Sequence, residues 1–204
     1  MHTKNILSGG KPLNEVEKVL LMLHGRGATA HDILEVASLL RVKDFALLAP
    51  QATYQTWYPK SFLAKQESNQ PWLDSALNLL KEIVDDVTGQ GIPTENIYLL
   101  GFSQGACLIL EFAARNAMRY GGIVAFTGGL IGDVIRRENY YGDFQDTPFF
   151  LSSGNPDLHV PLQRVEESVC VLEKMNALVR VKIYENRPHC ISKNEIDLVN
   201  KFIF

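Results

Sequence analysis

The sequence predicts an α/β fold with a mostly parallel central sheet and helices on both faces. Three observations carry this reading. Short apolar runs alternate along the chain with longer amphipathic ones. Glycine and proline punctuate the runs, as Gly89, Gly91 and Pro93 do between a helix and the next strand. No repeat, low-complexity tract, charge block or linker divides the 204 residues, so a single α/β domain over 1–204 is expected.

Residues 19–23 read as a buried strand, followed by a glycine-containing loop and a helix near 30–40. Residues 45–49 form the next strand, stopped by Pro50. From 68 to 87, Leu73, Leu77, Leu80, Val84 and Val87 recur at roughly helical spacing, and Gly89, Gly91 and Pro93 end that helix. A strand at 96–100 and a helix at 104–118 follow. Strands at 122–126, 149–152 and 179–184 complete the pattern, with a helix at 162–175 between the last two. The closing helix begins at Ser192, with Glu195 three residues on as a capping box. Ile6 and Leu7 suggest an added antiparallel edge strand. Strands joined by helices imply a parallel sheet, and in such sheets ligands gather at the carboxyl ends of the strands. Loops that leave strands are therefore where reactive side chains belong.

The formal net charge of −3 and the scatter of Lys and Arg exclude a general affinity for nucleic acid or anionic membranes. Small molecules are the expected partners. Residues 1–10 hold no long apolar core, so no signal peptide is read there. No apolar run is long enough for stable membrane insertion. Cys107, Cys170 and Cys190 make an odd count without a CxxC spacing, which fits reduced thiols and a cytoplasmic setting rather than disulfides or zinc.

Gly101-Phe102-Ser103-Gln104-Gly105 matches G-x-S-x-G between a predicted strand and a predicted helix. That placement is the nucleophile elbow of α/β-hydrolases, where a strained serine is exposed at the head of a helix. Ser103 is thus the expected nucleophile, in preference to a serine that merely caps a helix. A serine needs a base and an orienting acid, which follow it in this fold in the order acid, histidine. Of five histidines, His2 is terminal and His24 and His31 precede Ser103. His189 lies after the last strand and before the last helix, so it is the expected base. Asp157 directly follows the strand at 149–152 and is the expected acid, with Asp133 as runner-up. Asp143 and Asp146 precede that strand and fall at the wrong edge. His159 reads as a turn residue shaping the acid loop.

The oxyanion hole is expected from the backbone N–H groups of Gln104 and Arg26, the latter in Leu23-His24-Gly25-Arg26-Gly27. The Arg26 side chain is read as solvated, with a role toward an acidic substrate group as the alternative. His24 is read as structural, and Cys107 as buried and unreactive. Trp57, Tyr58, Phe62 and Leu63 fit a substrate pocket or the ordinary packing of a long loop equally well.

These motifs, with Ala49-Pro50 and Asp157-Leu158-His159-Val160-Pro161, resemble the carboxylesterase/phospholipase family of α/β-hydrolases, which includes acyl-protein thioesterases and bacterial carboxylesterases. The resemblance runs from about Val19 to the C-terminus. It implies cleavage of carboxylic esters or thioesters without a metal or organic cofactor, often by homodimers. In that family the catalytic histidine usually follows a glycine, whereas Pro188 precedes His189 here. Only about twenty residues separate the strands at 122–126 and 149–152, too few for a large cap domain. An open site taking short- to medium-chain acyl esters is expected. The rival reading is a ligand receptor on the same fold that turns over slowly or not at all.

Overall fold

The computed structural model describes residues 1–204. Seven strands form one sheet: β1 (Ile6–Gly10), β2 (Lys18–Leu23), β3 (Phe45–Pro50), β4 (Ile97–Phe102), β5 (Gly122–Phe126), β6 (Pro148–Asn155) and β7 (Leu178–Glu185). Their order is β1-β3-β2-β4-β5-β6-β7, with β1 antiparallel and every other pairing parallel. Five helices connect them: α1 (Ala30–Ala37), α2 (Trp72–Gly89), α3 (Gln104–Arg115), α4 (Leu162–Lys174) and α5 (Lys193–Phe202). None is long and apolar enough to cross a membrane.

The run Val19-Leu20-Leu21-Met22-Leu23 shows why the strands are apolar throughout. Successive side chains leave a strand on opposite faces. Val19, Leu21 and Leu23 join the larger core, with Leu73, Leu80, Phe112 and Val165 of α2, α3 and α4. Leu20 and Met22 join the smaller core, with Ile33 of α1 and Ile196 and Val199 of α5. Both faces are thus buried, which leaves no position for a polar residue.

Several boundaries move from their expected places for local reasons. Pro50 does not stop β3 but is its last residue, paired with Ile6 across the antiparallel edge. The helix expected from residue 68 begins at Trp72. Residue Gln70, held extended by the following Pro71, separates it from a 3-10 turn at Gln66–Asn69. The helix expected to reach residue 118 ends at Arg115, where Asn116 leaves helical geometry and donates its side-chain N–H to the Phe112 carbonyl at 2.9 Å. The strands before the site run further than expected. β4 continues through Gly101 and Phe102, and β6 through Ser153, Gly154 and Asn155, paired to β7 throughout. The Ser192–Glu195 capping box is present, and α1 carries a second at Thr29 and Asp32.

The connection between β5 and β6 builds no cap. It holds a single 3-10 turn at Arg137–Asn139 and lies fastened to the helices beneath. Buried Glu111 accepts the Ile131 N–H and the Tyr140 hydroxyl, both at 3.0 Å. Arg164 donates to the carbonyls of Leu130, Gly132 and Asp133.

Candidate active site

Ser103 stands between β4 and α3 with φ 53° and ψ −117°, a left-handed conformation that costs a non-glycine residue about 1–3 kcal/mol. Its surroundings hold it there. Its N–H donates to the Phe126 carbonyl at 2.9 Å, and its carbonyl accepts the Cys107 N–H at 3.0 Å. The glycines either side are required by close approach. A Cβ at Gly101 would lie 2.5 Å from the Gly105 carbonyl, and one at Gly105 would lie 2.3 Å from the Leu23 oxygen. The turn is therefore wedged between its own helix and the end of β2.

Asp157 and His189 reach Ser103 from the loops after β6 and β7. The His189 Nδ1–H donates to Asp157 Oδ2 at 2.9 Å, and the Ser103 hydroxyl donates to His189 Nε2 at 2.8 Å. Asp157 Oδ1 accepts the backbone N–H groups of His159 and Val160 at 2.8 and 2.9 Å. Burial pushes the Asp157 carboxyl up, but the hydrogen bond from His189 and those two N–H groups outweigh it and hold it below the usual carboxylate range. An ionised carboxylate fixes the proton on Nδ1 and leaves Nε2 free to accept one from Ser103. Asp133 is exposed and lies elsewhere, its backbone carbonyl engaged by Arg164. His159 forms the turn that binds Asp157, and its ring packs edge-on to His189 at 4.9 Å.

The loop after β2 lies directly beside Ser103. A Cβ at Gly25 would be 3.5 Å from the Ser103 Cβ. His24 is buried beneath it. Nε2 accepts the Ala52 N–H at 3.1 Å, a bond that only an unprotonated nitrogen can make, so the proton sits on Nδ1 and goes to the Gly25 carbonyl at 2.7 Å. Burial lowers the His24 pKa and keeps the ring neutral. Since the Gly25 carbonyl and the Arg26 N–H belong to one trans peptide, this bond turns the Arg26 N–H the opposite way. The Arg26 N–H donates to no protein group. The Gln104 N–H opens α3, where no intrahelical acceptor exists.

Arg26 is exposed, as expected, and its side chain also has protein partners. Its guanidinium donates to the carbonyls of Tyr58, Pro59 and Lys60 at 2.9, 3.1 and 2.7 Å and clamps that loop in place. Three convergent carbonyls match the planar fork of donors that an arginine offers. The Gln104 side chain ties the same loop to the elbow: its oxygen accepts the Trp57 N–H at 2.9 Å and its amide donates to the Tyr58 carbonyl at 2.8 Å.

A cleft of 370 Å³ opens over Ser103, lined by Tyr58, Phe62 and Leu63 on one side and Leu158, His159 and Val160 on the other. Trp57 is a correction. It is fully buried away from the cleft, between the His24 and His2 rings at 5.1 and 5.4 Å, with its indole N–H donating to the His24 carbonyl. Cys107 lies buried at the floor, where burial pushes its thiol up to about 12 and leaves it protonated and unreactive. Leu158, Val160 and Pro161 also form the wall, and no periodic signal in the sequence points to them as lining residues.

Residues 4–204 match the Phospholipase/Carboxylesterase family. The fold is similar to the crystal structure of a phospholipase/carboxylesterase from Dyadobacter fermentans, with 55% identity, a TM-score of 0.98 and coverage of 99% of this chain and 97% of that one. It is also similar to the Bacillus cereus carboxylesterase, with 21% identity, a TM-score of 0.77 and coverage of 96% and 91%. Acyl-protein thioesterase 1 of Kluyveromyces lactis is 27% identical over 139 residues, which are 64% of this chain and 59% of that protein. The chain belongs to the phospholipase/carboxylesterase family, on a small α/β-hydrolase fold without a cap.

Proposed function

We propose that the chain is a serine esterase that hydrolyses small carboxylic esters through an acyl-enzyme on Ser103. The observation that carries this is the continuous chain Ser103 Oγ–His189 Nε2–Asp157, with contacts of 2.8 and 2.9 Å. His189 accepts the Ser103 proton as the oxygen attacks the ester carbonyl, and Asp157 stabilises the imidazolium that forms. The N–H groups of Arg26 and Gln104 receive the developing oxyanion. His189 then protonates the leaving alcohol or thiol, and next activates the water that releases the acid. The whole activity is assigned to one domain spanning 1–204. The 370 Å³ cleft suits short- to medium-chain acyl groups. Relatives named carboxylesterases and acyl-protein thioesterases support an ester or thioester bond as the target.

The test combines a fluorophosphonate probe with a series of p-nitrophenyl acyl esters. Labelling of Ser103 and turnover that vanish together in Ser103→Ala are expected. Folded protein that is neither labelled nor active would support a receptor role and overturn the proposal. Amide turnover exceeding ester turnover would reassign it as an amidase.

A further inference from the structure

The loop that delivers His189 is held by a buried ion pair for which the reaction scheme has no use. Arg187 and Glu195 are 7% and 0% exposed in their side chains, and Arg187 Nη1 donates to Glu195 Oε2 at 3.0 Å. The same guanidinium reaches two other parts of the site. Nη1 also donates to the Cys190 carbonyl, and Nη2 donates to the Thr127 hydroxyl at 2.8 Å. Thr127 directly follows β5 and is bonded through its N–H to the Ser152 carbonyl of β6. Glu195 is equally committed. Oε1 accepts the Ser152 hydroxyl, and Oε2 accepts the Ser192 N–H and hydroxyl at 2.7 Å each.

The position of these contacts matters more than their number. The Cys190 N–H donates to the Pro188 carbonyl at 2.8 Å, closing a tight turn with His189 at its centre. Arg187 lies two residues before His189 and grips the carbonyl of the residue after it, so one planar group holds both flanks of the histidine. The backbone is pressed close as well: a Cβ at Gly154 would be 2.8 Å from the Arg187 carbonyl. A hydrophobic pair of equal volume would supply comparable stability. It would not supply directional bonds to β5, β6 and α5 at once.

We infer that Arg187 and Glu195 are positioning residues that set the reach of His189 to Ser103, acting through the 187–190 turn rather than by touching substrate. This inference rests on the proposed roles of Ser103, Asp157 and His189. A displacement of about 1 Å in a reacting group costs on the order of 100-fold in rate. Loss of the guanidinium is therefore felt in kcat rather than in binding.

The experiment compares wild type with Arg187→Met, Arg187→Lys and Thr127→Val at 25 °C. It reads kcat and KM for p-nitrophenyl butyrate, the rate of fluorophosphonate labelling and the thermal midpoint. Arg187→Met is expected to lose about 10- to 100-fold in both kcat and labelling rate, with KM within about threefold. Arg187→Lys keeps the charge but not the fork and recovers part of the loss. Thr127→Val removes one acceptor at constant volume, leaves the Arg187 Nη2 donor unpaired, and is expected to lose about threefold in kcat with a midpoint lower by about 2–4 °C, still folded at 25 °C. Should Arg187→Met not fold, the other two variants decide. Wild-type kcat and labelling in the folded variants, or losses that only follow the unfolded fraction, would overturn the inference while wild type still depends on Ser103. A wild type that is itself unlabelled and inactive would instead overturn the esterase reading.

Discussion

Replacing Asp157 by Asn changes one atom and reverses the proton order of the site. The Asp157 carboxylate receives three hydrogen bonds: two backbone N–H groups on Oδ1 at 2.8 and 2.9 Å, and His189 Nδ1–H on Oδ2 at 2.9 Å. In Asp157→Asn, the amide oxygen must stay with the two N–H groups, since an NH2 there would face two donors. The amide NH2 then faces His189 Nδ1, which can meet it only with a lone pair. The imidazole proton moves to Nε2 and points at Ser103, so the site has no base. Recovering the productive tautomer means turning the amide so that its NH2 faces the two backbone N–H donors, at about 1–3 kcal/mol. The charge-assisted bond to the imidazolium is lost as well, at about 1.5–3 kcal/mol. Together these give about 2.5–6 kcal/mol, or roughly 10²- to 10⁴-fold in kcat. KM should hold within a few fold, because the Asp157 side chain is 1% exposed and lines no part of the cleft. Steady-state hydrolysis of p-nitrophenyl butyrate, with the fold checked by circular dichroism, measures this. A kcat within tenfold of wild type, or an equal fall in the exposed Asp133→Asn control, would refute the reasoning.

Other predictions follow from the same geometry. Ser103→Gly should be more stable than Ser103→Ala by about 1 kcal/mol, the reverse of an ordinary site, because only glycine is at ease at φ 53°. Both lack turnover, and calorimetry should place their midpoints about 2–4 °C apart. Gly105→Ala sets a methyl 2.3 Å from the Leu23 carbonyl and 2.6 Å from that of His24, and should cost about 3 kcal/mol or more in a urea titration. Gly27→Ala meets nothing within 4 Å and pays only for its φ of 78°, about 1 kcal/mol. The lowered Asp157 pKa stabilises the fold fully above the ordinary carboxylate range, and that contribution fades as pH falls through the folded value. The stability gap between wild type and Asp157→Asn should therefore shrink below about pH 4, and a constant gap would contradict it.

How much of this was legible depended on whether the signal was periodic or long-range. The sheet was legible because burial on both faces leaves unbroken apolar runs such as residues 19–23 and 122–126. Strand ends were less so: Gly101 and Gly154 read locally as turns, yet pairing with β5 and β7 carries their strands onward. The positions of Asp157 and His189 at the carboxyl edge followed from topology alone. Trp57 shows where such reasoning stops. An aromatic in an irregular loop has no period to reveal its face, and its burial depends on His2 and His24, 55 and 33 residues away. The Arg26 clamp and the Arg187 network were hidden for the same reason. Glu195 was read as a cap, which accounts for Oε2, while the Ser152 partner of Oε1 lies 43 residues distant.

The two halves of the site occupy unequal ground in the sheet. Ser103 leaves the central strand β4, enclosed on both sides by β2 and β5, whereas His189 leaves β7, an edge strand with no buried residue. Regions with few buried contacts open at lower free energy than the whole molecule. Mild denaturant should therefore release the β7 edge before the central strands, producing chains whose elbow is intact but whose histidine has left. Enzymatic assay would then report the loosening of one border of the molecule well before its circular dichroism changes, which makes hydrolysis a local thermometer rather than a measure of global unfolding.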